Sequence, residues 1–114
     1  MSAQQGAREL RKMEDMYSRY DVVDQNGDKI GTVDAAYLDE RDQHEYVAVI
    51  RGVMGLIPGT GSSLIPLDIS RVDNNRRTIE VSVDKDMVKD SPSVDAGKPL
   101  SSEQASQVRG YYRL

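Results

Sequence analysis

Apolar residues along this chain fall into short β-prone runs separated by turn-forming residues. The first is Arg19-Tyr20-Asp21-Val22-Val23, followed by Asp24-Gln25-Asn26-Gly27-Asp28. Asn-Gly between two apolar runs predicts a tight hairpin, because both residues tolerate positive φ. Residues 30–39 read as the second strand. Val33, Ala35 and Tyr37 alternate toward one face and Thr32 and Asp34 toward the other, while Gly31 stands where a bulge lets the strand bend.

A charged turn at 40–44 leads into the most apolar strand, residues 46–53. Tyr46, Ala48 and Ile50 share one face and Val47 and Val49 the other, which predicts a central strand with one side against the core and the other partly covered. Residues 52–63 form a Gly-rich loop that carries Val53, Met54, Leu56 and Ile57. Residues 63–67 are a fourth strand, with Pro66 marking an edge or an end, and 69–72 continue it. After a turn at 73–75, Ile79, Val81 and Val83 define a fifth strand.

Beyond Asp84 the pattern changes. Residues 84–90 suit one helical turn, and Ser91-Pro92-Ser93 and Gly97-Lys98-Pro99 make an extended linker. Ser101 and Gln104 have capping-box spacing, which satisfies free N–H groups at a helix start. Ala105, Val108 and Tyr112 then give that helix one apolar face, to dock on the strands or on a partner. At the other end, Ala7, Leu10, Met13 and Tyr17 approach helical spacing, so residues 1–15 read as a short helix or a terminal tail.

A chain of 114 residues suits one domain with a single modest core. It has six Tyr but no Phe or Trp, so its core lacks the largest aromatic contributors. That composition predicts a marginal monomer, or one stabilised by pairing with a second copy. A net charge of −4 and a pI near 4.9 argue against a dedicated nucleic-acid binder. With no cysteine, disulfides, thiolate metal sites and cysteine nucleophiles are excluded. No apolar run approaches the ~20 residues of a membrane span. The N-terminus lacks a secretory apolar stretch, and a cytoplasmic protein is expected.

The candidate chemistry is thin. Asp24, Asn26 and Asp28 resemble the start of a calcium loop, but Lys29 replaces the required Gly and Ala35 the closing Glu. Gly55, Gly59 and Gly61 lack the Lys of a Walker loop, and Leu64 replaces the last Gly of a dinucleotide fingerprint. His44, the only histidine, reads as a solvated turn residue. Ser62 and Ser63 lie in no nucleophile motif. Asp34, Asp39, Glu40 and Asp42 read as a solvated face, leaving a weak divalent-ion site open. Arg71, Arg76 and Arg77 cluster at a turn beside Asp68 and Asp73. We therefore expect no catalytic residues, no metal site and no cofactor.

Taken in order, the signals resemble a known family. Tyr20-Asp21-Val22-Val23-Asp24, Asn26-Gly27 and Lys29-Ile30-Gly31 with Val33 look like the opening of PRC-barrel domains. Asp39, the strand Tyr46-Val47-Ala48-Val49, Gly52, Ile65-Pro66-Leu67 and Arg71-Val72-Asp73 follow in the family's order. Val88-Lys89-Asp90-Ser91-Pro92 and Tyr111-Tyr112 are similar to the tails of stand-alone bacterial members. The loop at 53–63 and the N-terminal extension depart from common members.

The resemblance implies an all-β fold: a small, closed or nearly closed antiparallel barrel of five to six strands. It spans residues 16–90, with an N-terminal tail or short helix at 1–15 and a linker and docking helix at 91–114. Members include the cytoplasmic domain of the reaction-centre H subunit and the C-terminal domain of a ribosome maturation factor, both of which contact other macromolecules; others are linked to stress responses. The expected function is a non-enzymatic protein-interaction or scaffolding module, self-associating as a homodimer. Its expected interface is Val53, Met54, Leu56, Ile57, Val108, Tyr111 and Tyr112. The alternative is a small-ligand or divalent-ion barrel using the Gly-rich loop or the acidic turn.

Overall fold

The computed structural model describes residues 8–51, 61–95 and 98–114, with the backbone alone at Arg51. Within them lie eight strands: β1 (Arg11–Met13), β2 (Asp21–Val23), β3 (Lys29–Asp39), β4 (His44–Arg51), β5 (Ser62–Pro66), β6 (Ser70–Asp73), β7 (Thr78–Val81) and β8 (Ser93–Val94). Two helices, α1 (Lys85–Lys89) and α2 (Ser102–Tyr111), complete the described elements with a 3-10 turn at Leu67–Ile69. None of the described helices is long and apolar enough to cross a membrane.

The strands form one sheet in the order β6-β7-β2-β3-β4-β5-β8, and β1 also pairs with β3. This corrects the expected antiparallel barrel of five to six strands. Among the described residues eight strands take part, β2 and β7 run parallel, and the hydrogen-bonded path does not close. The sheet nevertheless rolls up. In a flat sheet, five strand spacings of ~4.8 Å would hold β6 about 24 Å from β5. The Leu67–Ile69 turn joins them directly, and such a link reaches only about 14 Å. This turn also divides what the sequence suggested was one continuing strand. Pro66, which has no N–H, ends β5, and Ser70 returns its N–H to the Leu67 carbonyl.

Two bulges set which side chains meet. One lies opposite Val22 and Val23, where β3 advances from Gly31 to Lys29 and leaves Ile30 as the extra residue. The other skips Asp34 between Val33 and Ala35. The Asp34 bulge overturns the simple alternation: Val33 joins Ala36 on one face, while Ala35 and Tyr37 point to the other. Strand β4 is central, as its two apolar faces predict, with Tyr46 and Ala48 on one side and Val47 and Val49 on the other.

Each face has its own core. Inside the rolled sheet, Val22, Ile30, Val33, Val47, Val49, Ile65, Ile79 and Val81 pack with Val88 of α1. Outside β3–β5, Tyr37, Tyr46, Ala48 and Leu64 are covered by Leu10, Val94, Leu100 and the α2 residues Ala105 and Val108, with Tyr112 just beyond. The capping box expected at Ser101 and Gln104 is formed. The Ser101 N–H donates to Gln104 Oε1 at 2.8 Å, and the Gln104 N–H to Ser101 Oγ at 3.1 Å. Residues 11–13, within the segment read as a helix or tail, instead form β1. Its backbone finds partners along Leu38, Tyr37 and Ala36, which one short isolated helical turn would not supply.

Candidate functional site

Of the residues expected to form an interface, Val53, Met54, Leu56 and Ile57 lie outside the described residues. Val108 and Tyr112 are buried in their own chain's outer core. Tyr111 is half-buried; its hydroxyl donates to the Met87 carbonyl at 2.6 Å and its ring meets Tyr112 edge-on at 5.0 Å. These three therefore hold α2 on the sheet and present little free surface.

The calcium-like loop has a structural job. The Asp24 carboxylate is buried and accepts N–H donors from Asn26 and Asp28 through Oδ1, at 2.9 Å each, and from Lys85 through Oδ2 at 3.0 Å. It thus closes the β2–β3 turn and anchors the start of α1. Burial pushes the Asp24 carboxyl up, but the N–H donors of Asp28, Lys85 and Asn26 and the Lys85 charge outweigh it and hold it below its ordinary value of 3.8. A carboxyl depressed on folding stabilises the fold above its unfolded value, and that contribution is lost as pH falls through the folded one. In acid titrations followed by circular dichroism, the stability gap between the parent and Asp24→Asn should be fully open above pH 3.8 and narrow below it. A gap that is constant across this range would mean the carboxylate charge contributes nothing.

The acidic turn is partly committed as well. Asp39 is buried and accepts the Arg41 N–H at 3.2 Å, and Glu40 faces Arg11 at 3.5 Å. His44 is half-buried, not a solvated turn residue, with Nδ1 3.7 Å from Asp68 Oδ2. Arg109 of α2 grips Asp68 with both guanidinium ends, at 2.9 and 3.2 Å. The Arg109 guanidinium holds the Asp68 carboxyl below its ordinary range against the opposing effect of burial. Burial raises the Tyr46 hydroxyl, with Arg109 pulling the other way. Sequence inspection missed this clasp because its members lie 41 residues apart.

A different segment carries the most unusual backbone. Between β1 and β2, the non-glycine residues Asp15, Tyr17 and Arg19 have φ of 61°, 56° and 62°. Left-handed geometry costs L-residues about 1–2 kcal/mol each, so three in alternation are a concentrated strain. Side chains hold the segment in place. Tyr17 donates to Glu45 at 3.2 Å, Tyr20 donates to Asn74 at 2.7 Å, and the two rings meet edge-on at 5.6 Å. Burial, with the Glu45 charge second, pushes the Tyr17 hydroxyl up. Together with the β6–β7 turn the segment borders a cleft of about 370 Å³, lined by Met16, Tyr17, Tyr20, Asn74 and Arg77 among others. Tyr, Met and Arg are residue types enriched where proteins touch. The basic cluster read from sequence divides here: Arg77 lines the cleft, while Arg76 lies 3.9 Å from Asp73 on the exposed turn.

No match is found among curated proteins. The family model of the PRC-barrel domain matches residues 17–88, more than half of the chain. That span runs from the strained segment through β2–β7 to Val88, the residue by which α1 enters the interior core. Strands β2–β7 and the interior core are therefore those of the matched domain, and this chain belongs to the PRC-barrel family.

Proposed function

We propose that this chain is a non-enzymatic protein-interaction module that works in the cytoplasm and self-associates as a homodimer. The observation that carries this reading is Ile50. The four residues before it in β4, Tyr46 to Val49, are each 0 % exposed, yet Ile50 is 41 % exposed. It leads toward Val53, Met54, Leu56 and Ile57, so apolar sequence continues from an uncovered apolar side chain. An uncovered apolar side chain leading into an apolar stretch of sequence supports a contact site here. The carboxylates of Asp24 and Asp39 already accept backbone donors, which favours a binding module over an ion carrier.

Size exclusion with light scattering over a range of concentrations tests the proposal. The parent should run as a dimer at high concentration, and Leu56→Asp with Ile57→Asp should weaken it at least about tenfold, because two desolvated carboxylates cost more than 1.4 kcal/mol. Circular dichroism should remain native. A double variant that kept the parent's mass profile would remove this segment from the interface.

A further inference from the structure

We propose that residues 8–13 are an exchangeable arm, and that two copies of the chain can dimerise by swapping it. This goes beyond the Ile50 surface and uses a different part of the molecule. The arm docks on both halves of the fold. Leu10 donates its N–H to the Leu100 carbonyl at 2.8 Å, and the Arg8 carbonyl accepts from Ser102 at 2.6 Å. Residues 11–13 run along 36–38 of β3. Leu10 fills the outer core, and Met13 packs against the interior one. A second copy's arm would make each of these contacts equally well, since none depends on which chain supplies it.

What differs between the closed and exchanged forms is the link, residues 14–19. In the closed chain β1 and β2 run in the same direction along β3, with Met13 opposite Ala36 and Asp21 opposite Thr32, so the link loops out between them and holds Asp15, Tyr17 and Arg19 in the left-handed region, where the sequence supplies no glycine. An exchanged arm lets the link run extended and releases that strain, while the docking contacts are kept. Strained short links are the setting in which identical elements exchange between protomers.

The chain contains no cysteine, so an engineered pair reports without interference. Arg11 and Leu38 face each other across β1 and β3. Arg11→Cys with Leu38→Cys, placed in the Leu56→Asp, Ile57→Asp background, should be refolded at high concentration, oxidised and run on a denaturing gel. Arm exchange predicts a disulfide-linked dimer even though the 53–57 contact is disabled. A monomeric band with an internal disulfide overturns the exchange, as does a strict monomer at every concentration. Neither result touches the Ile50 proposal, which stands or falls on the difference in mass profile between the parent and the Leu56→Asp, Ile57→Asp variant.

If the pair does not oxidise, the link decides the matter. Asp15→Gly with Arg19→Gly relieves the closed form, leaves the Tyr17 contacts in place, and should lower the dimerisation constant about tenfold or more in the same background. An unchanged dimer fraction overturns the proposal.

Discussion

Gly31→Ala should lower the melting temperature by roughly 10 °C or more, the largest effect expected from a methyl group added at the described glycines. Gly31 is near the start of β3, where Val22 of β2 faces it on one side and Arg51 of β4 on the other. A Cβ built at this position lands on the carbonyl oxygen of Ile50, with the Val49 side chain 3.0 Å away. The obstacle is backbone in a paired strand, so it cannot swing aside as a flexible side chain would. Overpacking of this kind costs about 3 kcal/mol or more when the neighbour cannot give way. A domain with total stability of about 5–15 kcal/mol has little margin for that loss.

Gly27→Ala is the natural comparison. Gly27 has φ of 85° in the β2–β3 turn, but a Cβ there meets nothing within 4 Å. Its cost is the left-handed conformation alone, about 1 kcal/mol. Thermal melts of the two variants side by side would separate close approach from conformation. Equal shifts would show that β3 and β4 open readily at Gly31.

The same two glycines show how far the sequence could be read. The Asn26-Gly27 turn is a local signal, and the hairpin it predicts is present between β2 and β3. Alternation likewise identified β4 as a central strand. What local pattern could not carry was anything set by residues far apart. The Asp34 bulge reverses the facing of Ala35 and Tyr37, yet the sequence around Asp34 reads as unbroken alternation. The strand β1 is invisible by composition, because Arg11, Lys12 and Met13 gain their geometry from β3. The Asp68–Arg109 clasp and the parallel pairing of β2 with β7 join segments separated by 41 and 57 residues, and no periodicity registers such distances.

The helix face gives the clearest division between two roles for one set of residues. Val108→Asp should destabilise the fold by about 4 kcal/mol or more, because it places an unpaired carboxylate in an apolar core. Val108 is 1 % exposed and packs in the cluster that holds Tyr46, Ala48 and Leu64. These belong to β4 and β5, within the family-matched span, whereas the helix that covers them lies beyond it. The outer face of this PRC-barrel is thus apolar by sequence and covered by its own C-terminal segment, with Arg109 fastening the lid to Asp68. Gln107→Asp, on the exposed side of the same helix, should change stability by no more than about 0.5 kcal/mol. If α2 were instead a surface kept for a partner, Val108→Asp would melt with the parent and differ only in solution mass. A urea titration of both variants, read alongside light scattering, distinguishes these cases. Loss of stability without change of mass assigns Val108 and Tyr112 to the core, and leaves Ile50 and residues 8–13 as the places proposed for contact with another copy.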